Sequence, residues 1–176
     1  MSGDVRVAHV CGLATLSETV AKSGATHLIS LLGPNHEFSR PPQIAAHNHL
    51  HLTFNDIAEP REGYISPGEQ DIVELIAFGR SWHQEGIAPI VIHCWFGISR
   101  STAGAYILAC LLQQERSEQE IADELRARSP SATPNPRLVA LADQHLQRDG
   151  RMVHAIAAIG RGAHASSGTP FEMPLE

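Results

Sequence analysis

The residues of this 176-residue chain that could do chemistry are concentrated in one stretch, HCWFGISRS, at positions 93–101. The apolar run PIVIH (89–93) is typical of a buried parallel strand, and Cys94 follows it directly. A helix is predicted to begin near Ser101, so the cysteine lies where ligands bind in open α/β sheets. The helix N-terminus and the backbone N–H groups of the loop favour an anion there and stabilise a thiolate.

An arginine and a glycine complete the pattern. Arg100, six positions after the cysteine, offers a planar guanidinium with two parallel donors, which suits two oxygens of a phosphate. Gly97 lets the backbone curl inward with no side chain in the way. The stretch therefore combines a nucleophile with an anion clamp. Cys11 and Cys110 have no such context and are interpreted as small buried hydrophobes, a role that the joint spacing disfavours for Cys94.

The elements that must position this stretch alternate between strands and helices. Strands are predicted at 5–10, 26–32, 47–54 and 89–93, and helices at 16–24, 67–82, 101–114, from 118 onwards and at 136–147. This order predicts an α/β domain with a mainly parallel sheet of about four to five strands, followed by a helical C-terminal half. Residues 1–159 are assigned to that single domain. Residues 160–176 lack periodicity and are predicted to be an irregular tail.

Capping patterns mark the beginnings of three helices. Ser66 with Glu69, and Ser117 with Glu120, have the spacing of a capping box. Asn135, directly before a proline, is predicted to be the N-cap of the last long helix.

Composition narrows the class of protein. At 43% hydrophobic and 18% charged residues the chain is typical of a globular protein. The formal net charge of −6 argues against nucleic acid or an anionic membrane as partner. The first residues show no signal-peptide pattern, and the most apolar run, 103–112, has about half of the ~20 residues of a membrane span. Three cysteines without CxxC spacing argue against a disulfide framework or a zinc site, so a reduced cytoplasm is the predicted location.

Three alternating histidines offer a possible metal site. His47, His49 and His51 would project from one face of the predicted strand 47–54, a spacing that can hold a metal ion. The alternative is an ordinary polar strand face, which we favour. No metal is therefore predicted.

In residue types, spacing and strand–loop–helix context, the stretch resembles the signature of the cysteine-dependent protein tyrosine phosphatase superfamily. That signature is a His-Cys pair, five residues, then Arg and Ser or Thr. The matching residues are His93, Cys94, Arg100 and Ser101. GISRS (97–101) looks most like the dual-specificity branch, in a small, single-domain, bacterial-type member. Trp95 and Phe96 depart from it, since that branch often has smaller or polar residues there.

The resemblance also implies a general acid, which in this superfamily is an aspartate just after a strand upstream of the cysteine. HLHLTFND (49–56) places Asp56 there, 38 residues before Cys94. Glu59 and Glu62, in the long loop that follows, are the alternatives.

The resemblance implies a two-step phosphoryl transfer without metal or cofactor. Cys94 attacks phosphorus while Asp56 protonates the leaving oxygen, and Asp56 then acts as base for the hydrolytic water. The phosphate-binding residues would be Trp95, Phe96, Gly97, Ile98, Ser99 and Arg100. In supporting roles, Ser101 would donate to the sulfur, His93 would order the loop, and Asn135 would brace it.

Two other functions stay open: a module that binds phosphoprotein without turnover, and a thiol transferase or arsenate reductase that uses the same anion loop. The first is disfavoured because Cys94, Arg100 and Asp56 are all present, and the second because no resolving cysteine is evident. The loop segment WFGIS (95–99) holds no further cation for a phosphoinositide. Its aromatic residues suit a phosphoaryl group, so a phosphotyrosine protein or a small aryl phosphate is the predicted substrate.

Overall fold

The computed structural model describes residues 6–86 and 88–176. Its sheet has five strands: β1 (Val7–Gly12), β2 (His27–Leu32), β3 (His49–Thr53), β4 (Ile90–Cys94) and β5 (Phe171–Pro174). The order across the sheet is β3-β2-β4-β1-β5. The first four strands are parallel to their neighbours, and β5 is antiparallel to β1. The predicted α/β class with a mainly parallel sheet is confirmed, and Val5, in the predicted first strand, lies outside the described residues.

Helices cover both faces of this sheet. They are α1 (Leu16–Ser23), α2 (Glu69–Glu85), α3 (Arg100–Leu112), α4 (Glu118–Arg128), α5 (Pro136–His145) and α6 (Arg151–Ile159), with 3₁₀ turns at Leu13–Thr15 and Ala46–Asn48. α1 packs on one face over a small apolar core, while α3 contacts β1, β2 and β4 on the other. α2, α4 and α5 pack in turn against α3. No helix in the described ranges is long and apolar enough to cross a membrane.

α3 is the central helix of the molecule. Every residue from Arg100 to Leu111 is buried, because the sheet lies on one side of this helix and three other helices surround the rest. A sequence that is apolar nearly all round is what such a position requires. The predicted helix 101–114 is thus confirmed, with its first residue at Arg100.

The predicted beginning of α2 is wrong. The helix begins at Glu69 with Gly68 as N-cap, and the Asp71 carboxylate accepts the Gly68 N–H at 2.7 Å. Ser66 with Glu69 has the same three-residue spacing as Gly68 with Asp71. The Pro67 carbonyl, however, accepts Arg137 Nε at 2.6 Å, and this contact holds the preceding residues outside the helix. The capping box at Ser117 and the N-cap at Asn135 are confirmed.

The C-terminal tail is more ordered than predicted. Phe171–Pro174 forms β5, and Met173 and Leu175 are fully buried. The prediction of an irregular tail is therefore wrong for this segment, because a four-residue strand between prolines is too short to show periodicity. α6 was not predicted as a separate helix, since the sequence pattern indicates only a helical C-terminal half.

Candidate active site

The predicted site residues meet at the edge of the sheet where the parallel strands end. Cys94 is the last residue of β4, Gly12 is the last residue of β1 beside it, and Asp56 lies just beyond β3. The loop 95–99 connects β4 to α3. Ligands bind at this edge in open α/β sheets, so the fold brings the predicted nucleophile, acid and arginine together.

The sulfur of Cys94 is buried and faces a backbone N–H and a hydroxyl group. The side chain is 2% exposed, and its Sγ lies 3.2 Å from the N–H of Gly97 and 3.1 Å from Ser101 Oγ. Ser101 thus lies where the resemblance predicted it, within reach of the sulfur.

Gly97 gives the loop its shape. Its φ of +72° lies in the left-handed region, and a Cβ there would come within 2.7 Å of the Gly12 backbone nitrogen. Any other residue at this position would be strained and would collide with β1. The loop therefore lies directly against the end of the neighbouring strand.

Backbone hydrogen bonds on the outside of the loop orient its peptide groups. Four loop carbonyls accept N–H donors from other segments: Trp95 from Leu13 (3.1 Å), Phe96 from Gly168 (2.8 Å), Ile98 from Thr133 (2.9 Å) and Ser99 from Asn135 (3.2 Å). Because these carbonyls are engaged outside, the loop N–H groups are left for its interior. Such a concave set of N–H groups is suited to an anion.

Arg100 closes the loop at the first turn of α3. Its side chain is buried, with Nη1 donating to the Phe54 carbonyl at 3.1 Å. Its Nε is also buried and has no partner in the described part of the chain. Arg6 and Arg126 also have a buried Nε without a partner there, and what distinguishes Arg100 is its position at the end of the loop, where its guanidinium can donate to an anion.

Asp56 lies at the rim of the loop. Its Oδ1 accepts Ser99 Oγ at 2.7 Å and Asn135 Nδ2 at 2.8 Å, while the residue itself is exposed. Both donors contact the same oxygen, and Oδ2 has no hydrogen-bond partner among the described residues. The alternative acids Glu59 and Glu62 are exposed, and within the described residues neither carboxylate hydrogen-bonds to the loop.

Asn135 connects three parts of the site. Its Oδ1 caps α5 by accepting the N–H groups of Arg137 and Leu138 at 3.0 and 3.1 Å. Its Nδ2 donates to Asp56, and its backbone N–H donates to the Ser99 carbonyl. One buried side chain thus joins the helix, the candidate acid and the loop.

His93 is neutral and hydrogen-bonded on both ring nitrogens. Burial lowers its pKa to about 4, despite an opposing hydrogen bond to the Cys94 carbonyl. Nδ1 must donate to that carbonyl, at 3.3 Å, so Nε2 accepts the Ser30 hydroxyl at 2.7 Å. The Ser30 oxygen in turn accepts His49 Nε2 at 2.9 Å. This hydrogen-bond network fixes the His93 ring below the loop. Ser30 was not identified from the sequence as part of the site, because Ser30 lies in the mainly apolar strand HLISLL.

The three histidines do not share one strand face. His47 lies in the 3₁₀ turn, and only His49 and His51 lie on β3, with their rings stacked 5.7 Å apart. Phe38 packs against both rings and against His93. Burial lowers the pKa of His49 to about 4. Within the described ranges no three side chains are grouped as metal ligands.

Trp95 and Phe96 form an aromatic surface beside the loop. They are 37% and 54% exposed, and Trp95 stacks on the ring of His36 at 4.1 Å. A pocket of about 450 Å³ lies against both aromatic residues, between the turn after β1 and residues 166–168.

The other two cysteines are buried, as predicted. Burial raises the pKa of Cys11 to about 11 and that of Cys110 to about 12. Cys11 packs in the small core under α1, whereas Cys94 belongs to the large core on the other face. Neither thiol is reactive in these surroundings.

No family model and no curated protein matches this sequence. Solved structures do. Human DUSP28 superposes with a TM-score of 0.57 at 20% identity over 80% of this chain and 94% of that chain. The Cydia pomonella PTP-2 phosphatase gives 0.59 at 17% identity over 78% and 84%. The human tyrosine phosphatase-like serine/threonine/tyrosine-interacting protein gives 0.57 at 19% identity over 79% and 87%.

At such low identities the comparisons bear on architecture alone. The chain has the fold of the dual-specificity and protein tyrosine phosphatases.

Proposed function

We propose that the protein is a phosphomonoester hydrolase, a protein tyrosine or dual-specificity phosphatase that acts through a phosphocysteine at Cys94. The observation that carries the proposal is the meeting at one loop of the buried Cys94 sulfur, 3.2 Å from the Gly97 N–H, and the buried guanidinium of Arg100. An anion with several oxygens satisfies all of these donors at once.

The first step transfers the phosphoryl group to the enzyme. The Cys94 thiolate attacks phosphorus, an S–P bond forms, and the bond to the leaving oxygen breaks. Asp56 gives its proton to that oxygen from the rim of the loop. Arg100 and the loop N–H groups hold the equatorial oxygens throughout, which is where such reactions gain most of their rate.

The second step returns the enzyme to its starting state. Water attacks phosphorus, its proton goes to Asp56, and the S–P bond breaks to release inorganic phosphate and the thiolate. Ser101 Oγ, 3.1 Å from the sulfur, donates to the departing thiolate and stabilises it. His93 stays neutral and holds the Cys94 carbonyl, so it takes no part in proton transfer.

The substrate class follows from the surface around the loop. Loop residues 95–99 include no cation, so a polyphosphorylated inositol ring would find no further charge partner within the loop. Trp95 and Phe96 present exposed aromatic surface, which suits the flat ring of phosphotyrosine. A phosphotyrosine protein is therefore the proposed substrate, and a small aryl phosphate its simplest mimic.

The binding-module alternative differs from the proposal in predicting no release of phosphate from a bound phosphoprotein. One structural neighbour has a name that describes it as an interacting protein. The presence of Cys94, Arg100 and Asp56 around one loop supports turnover rather than binding alone. A module that only binds phosphoprotein needs neither the thiolate nor the acid.

The test is phosphate release from phosphotyrosine, phosphoserine and phosphoinositide substrates under reducing conditions. We expect turnover on phosphotyrosine, less on phosphoserine and least on phosphoinositide. Tight binding of a phosphopeptide without release of phosphate would support the binding module and contradict the proposal. Formation of a disulfide or persulfide at Cys94 during arsenate reduction would support the thiol-transfer alternative.

A further inference from the structure

We propose that Arg161 forms a second anion subsite beside the phosphate loop, selecting phosphopeptides with an acidic side chain next to the phosphorylated residue. The inference rests on the proposed function, since it names the substrate class of that same site. It concerns a residue that the resemblance to phosphatases did not single out.

Arg161 lines a pocket that opens on the candidate acid. The pocket has a volume of about 330 Å³, and its walls include Asp56, Ser99, Asn135 and Arg161. Asp56 is placed to protonate the leaving oxygen, so the substrate chain attached to that oxygen must pass this side of the loop. A residue flanking the phosphorylated one therefore lies within reach of the pocket.

The backbone on both sides of Arg161 is held in place, so its position is a property of the fold. The Gly160 carbonyl accepts Arg126 Nη2 at 2.8 Å. The Gly162 N–H donates to Thr133 Oγ1 at 3.1 Å, and the Ala163 N–H donates to the Pro130 carbonyl at 2.8 Å. These contacts fix Arg161 against the same turn that donates to the loop carbonyls.

The guanidinium of Arg161 is available for a ligand. It is exposed and forms no hydrogen bond or ion pair with any residue in 6–86 or 88–176. Its neighbours differ: Arg126 is bonded to backbone carbonyls and Arg137 to that of Pro67. In a chain of net charge −6, an unpaired arginine at the rim of the site attracts substrate carboxylates, which a guanidinium binds in a planar, bidentate manner.

The experiment compares peptides that share one phosphotyrosine. One has Asp and Glu at the flanking positions, a second has Asn and Gln there, and a third replaces the acidic residues with a second phosphotyrosine. Dissociation constants are measured by calorimetry at low salt in a Cys94→Ser background, so that the comparison does not depend on turnover. The second readout is the ratio of kcat/KM for the acidic peptide to kcat/KM for the neutral peptide, measured in chains that keep Cys94.

We expect the acidic peptide to bind about two- to fivefold more tightly than the neutral one, the upper part of the range for an exposed ion pair. Arg161→Glu should abolish or invert this preference. Arg80→Glu is the matched control, because Arg80 is exposed on α2 toward the end that leads into the start of β4, the opposite edge of the sheet. It should preserve the preference, and circular dichroism checks the fold of both variants.

An unchanged acidic-to-neutral ratio in Arg161→Glu would overturn the subsite, and so would an equal loss in Arg80→Glu. An Arg161-dependent preference for the doubly phosphorylated peptide over the acidic one would overturn the assignment to a carboxylate. Failure of the proposed function would give a different result. The wild-type chain would then release no phosphate from any of the peptides.

Discussion

At the scale of single residues, the site depends on two buried groups, the sulfur of Cys94 and the guanidinium of Arg100. The Cys94 sulfur lies inside the loop against the Gly97 N–H and the Ser101 hydroxyl. The Arg100 Nε is buried with no acceptor in the described chain. Both groups therefore lie where an anion bound in the loop would contact them.

The first prediction concerns the geometry of the clamp. Arg100→Lys keeps the charge but loses the planar fork and the contact with the Phe54 carbonyl. We expect kcat on phosphotyrosine to fall roughly 10²–10³-fold, as for loss of a preorganised donor to a developing charge. Arg80→Lys, an exposed arginine remote from the loop, should have no effect. A loss of less than about threefold at Arg100 would show that it does not clamp the phosphate.

The second prediction concerns the proton donor. Asp56→Asn should lower kcat by roughly 10²–10⁴ on phosphotyrosine, which has a poor leaving group. The loss should shrink on an aryl phosphate whose leaving group departs without a proton. In the pH profile of kcat/KM the basic limb should flatten, because that limb reports the protonated acid.

Glu59→Gln, an exposed substitution in the same loop, is the control for this experiment and should leave both rates and the profile unchanged. Equal losses on both substrates with an unchanged pH profile would assign Asp56 a purely structural role. A flattened basic limb in Glu59→Gln instead would make Glu59 the acid.

At the scale of elements, the C-terminal segment packs against the outside of the loop 95–99. Gly168 donates to the Phe96 carbonyl, and a Cβ at Gly168 would lie 2.4 Å from the Gly97 carbonyl oxygen. β5, immediately downstream, anchors the segment to β1. The orientation of the loop therefore depends on residues some seventy positions away in sequence.

The third prediction tests this dependence. Gly168→Ala introduces a methyl group where the loop backbone already lies, so the segment or the loop must shift. We expect kcat/KM to fall about tenfold, since small displacements of catalytic groups are costly. Ala165→Ser, an exposed change in the same segment, is the control. Wild-type kinetics and thermal stability in Gly168→Ala would show that the contact between Gly168 and the loop does not affect activity.

The elements that sequence predicts well here are those with local signals. β4, the loop and α3 follow one another, so an apolar run, a glycine and an apolar helix identify them together. Contacts between distant segments leave no such signal: Ser30 under His93, or Gly168 against Phe96, depends on tertiary packing. β5 is too short for a periodicity, and the residue before the N-cap of α2 is contacted by Arg137 from another helix, which the local sequence does not show.

At the scale of the whole molecule, the sheet places its neutral histidines beneath the loop. His93 and His49 share Ser30, and burial lowers the pKa of each to about 4 from an ordinary 6.5. On unfolding both rings regain the ordinary value, so between pH 4 and 6.5 the unfolded chain binds more protons. Stability contributed by these rings is present above about pH 6.5 and is lost as the pH falls toward 4.

The fourth prediction concerns the change in the free energy of unfolding as the pH falls. Urea unfolding at several pH values between 7 and 4.5 should give a free energy of unfolding that decreases steadily. His49→Gln keeps a donor for Ser30 but removes one titrating ring, so its pH dependence should be shallower. His164→Gln, exposed in the C-terminal segment, should match the wild type. An equal slope in His49→Gln would show that this ring titrates alike in both states.

The most direct test of the account is to trap its covalent intermediate. The wild-type chain is mixed with a phosphotyrosine peptide, quenched in acid within the first turnover, and digested for mass spectrometry. We expect phosphate on the peptide that contains Cys94, and neither this adduct nor phosphate release with Cys94→Ser, whose circular dichroism should match the wild type. Turnover by Cys94→Ser comparable to the wild type, or phosphate release with no adduct at any quench time, would contradict a phosphocysteine mechanism.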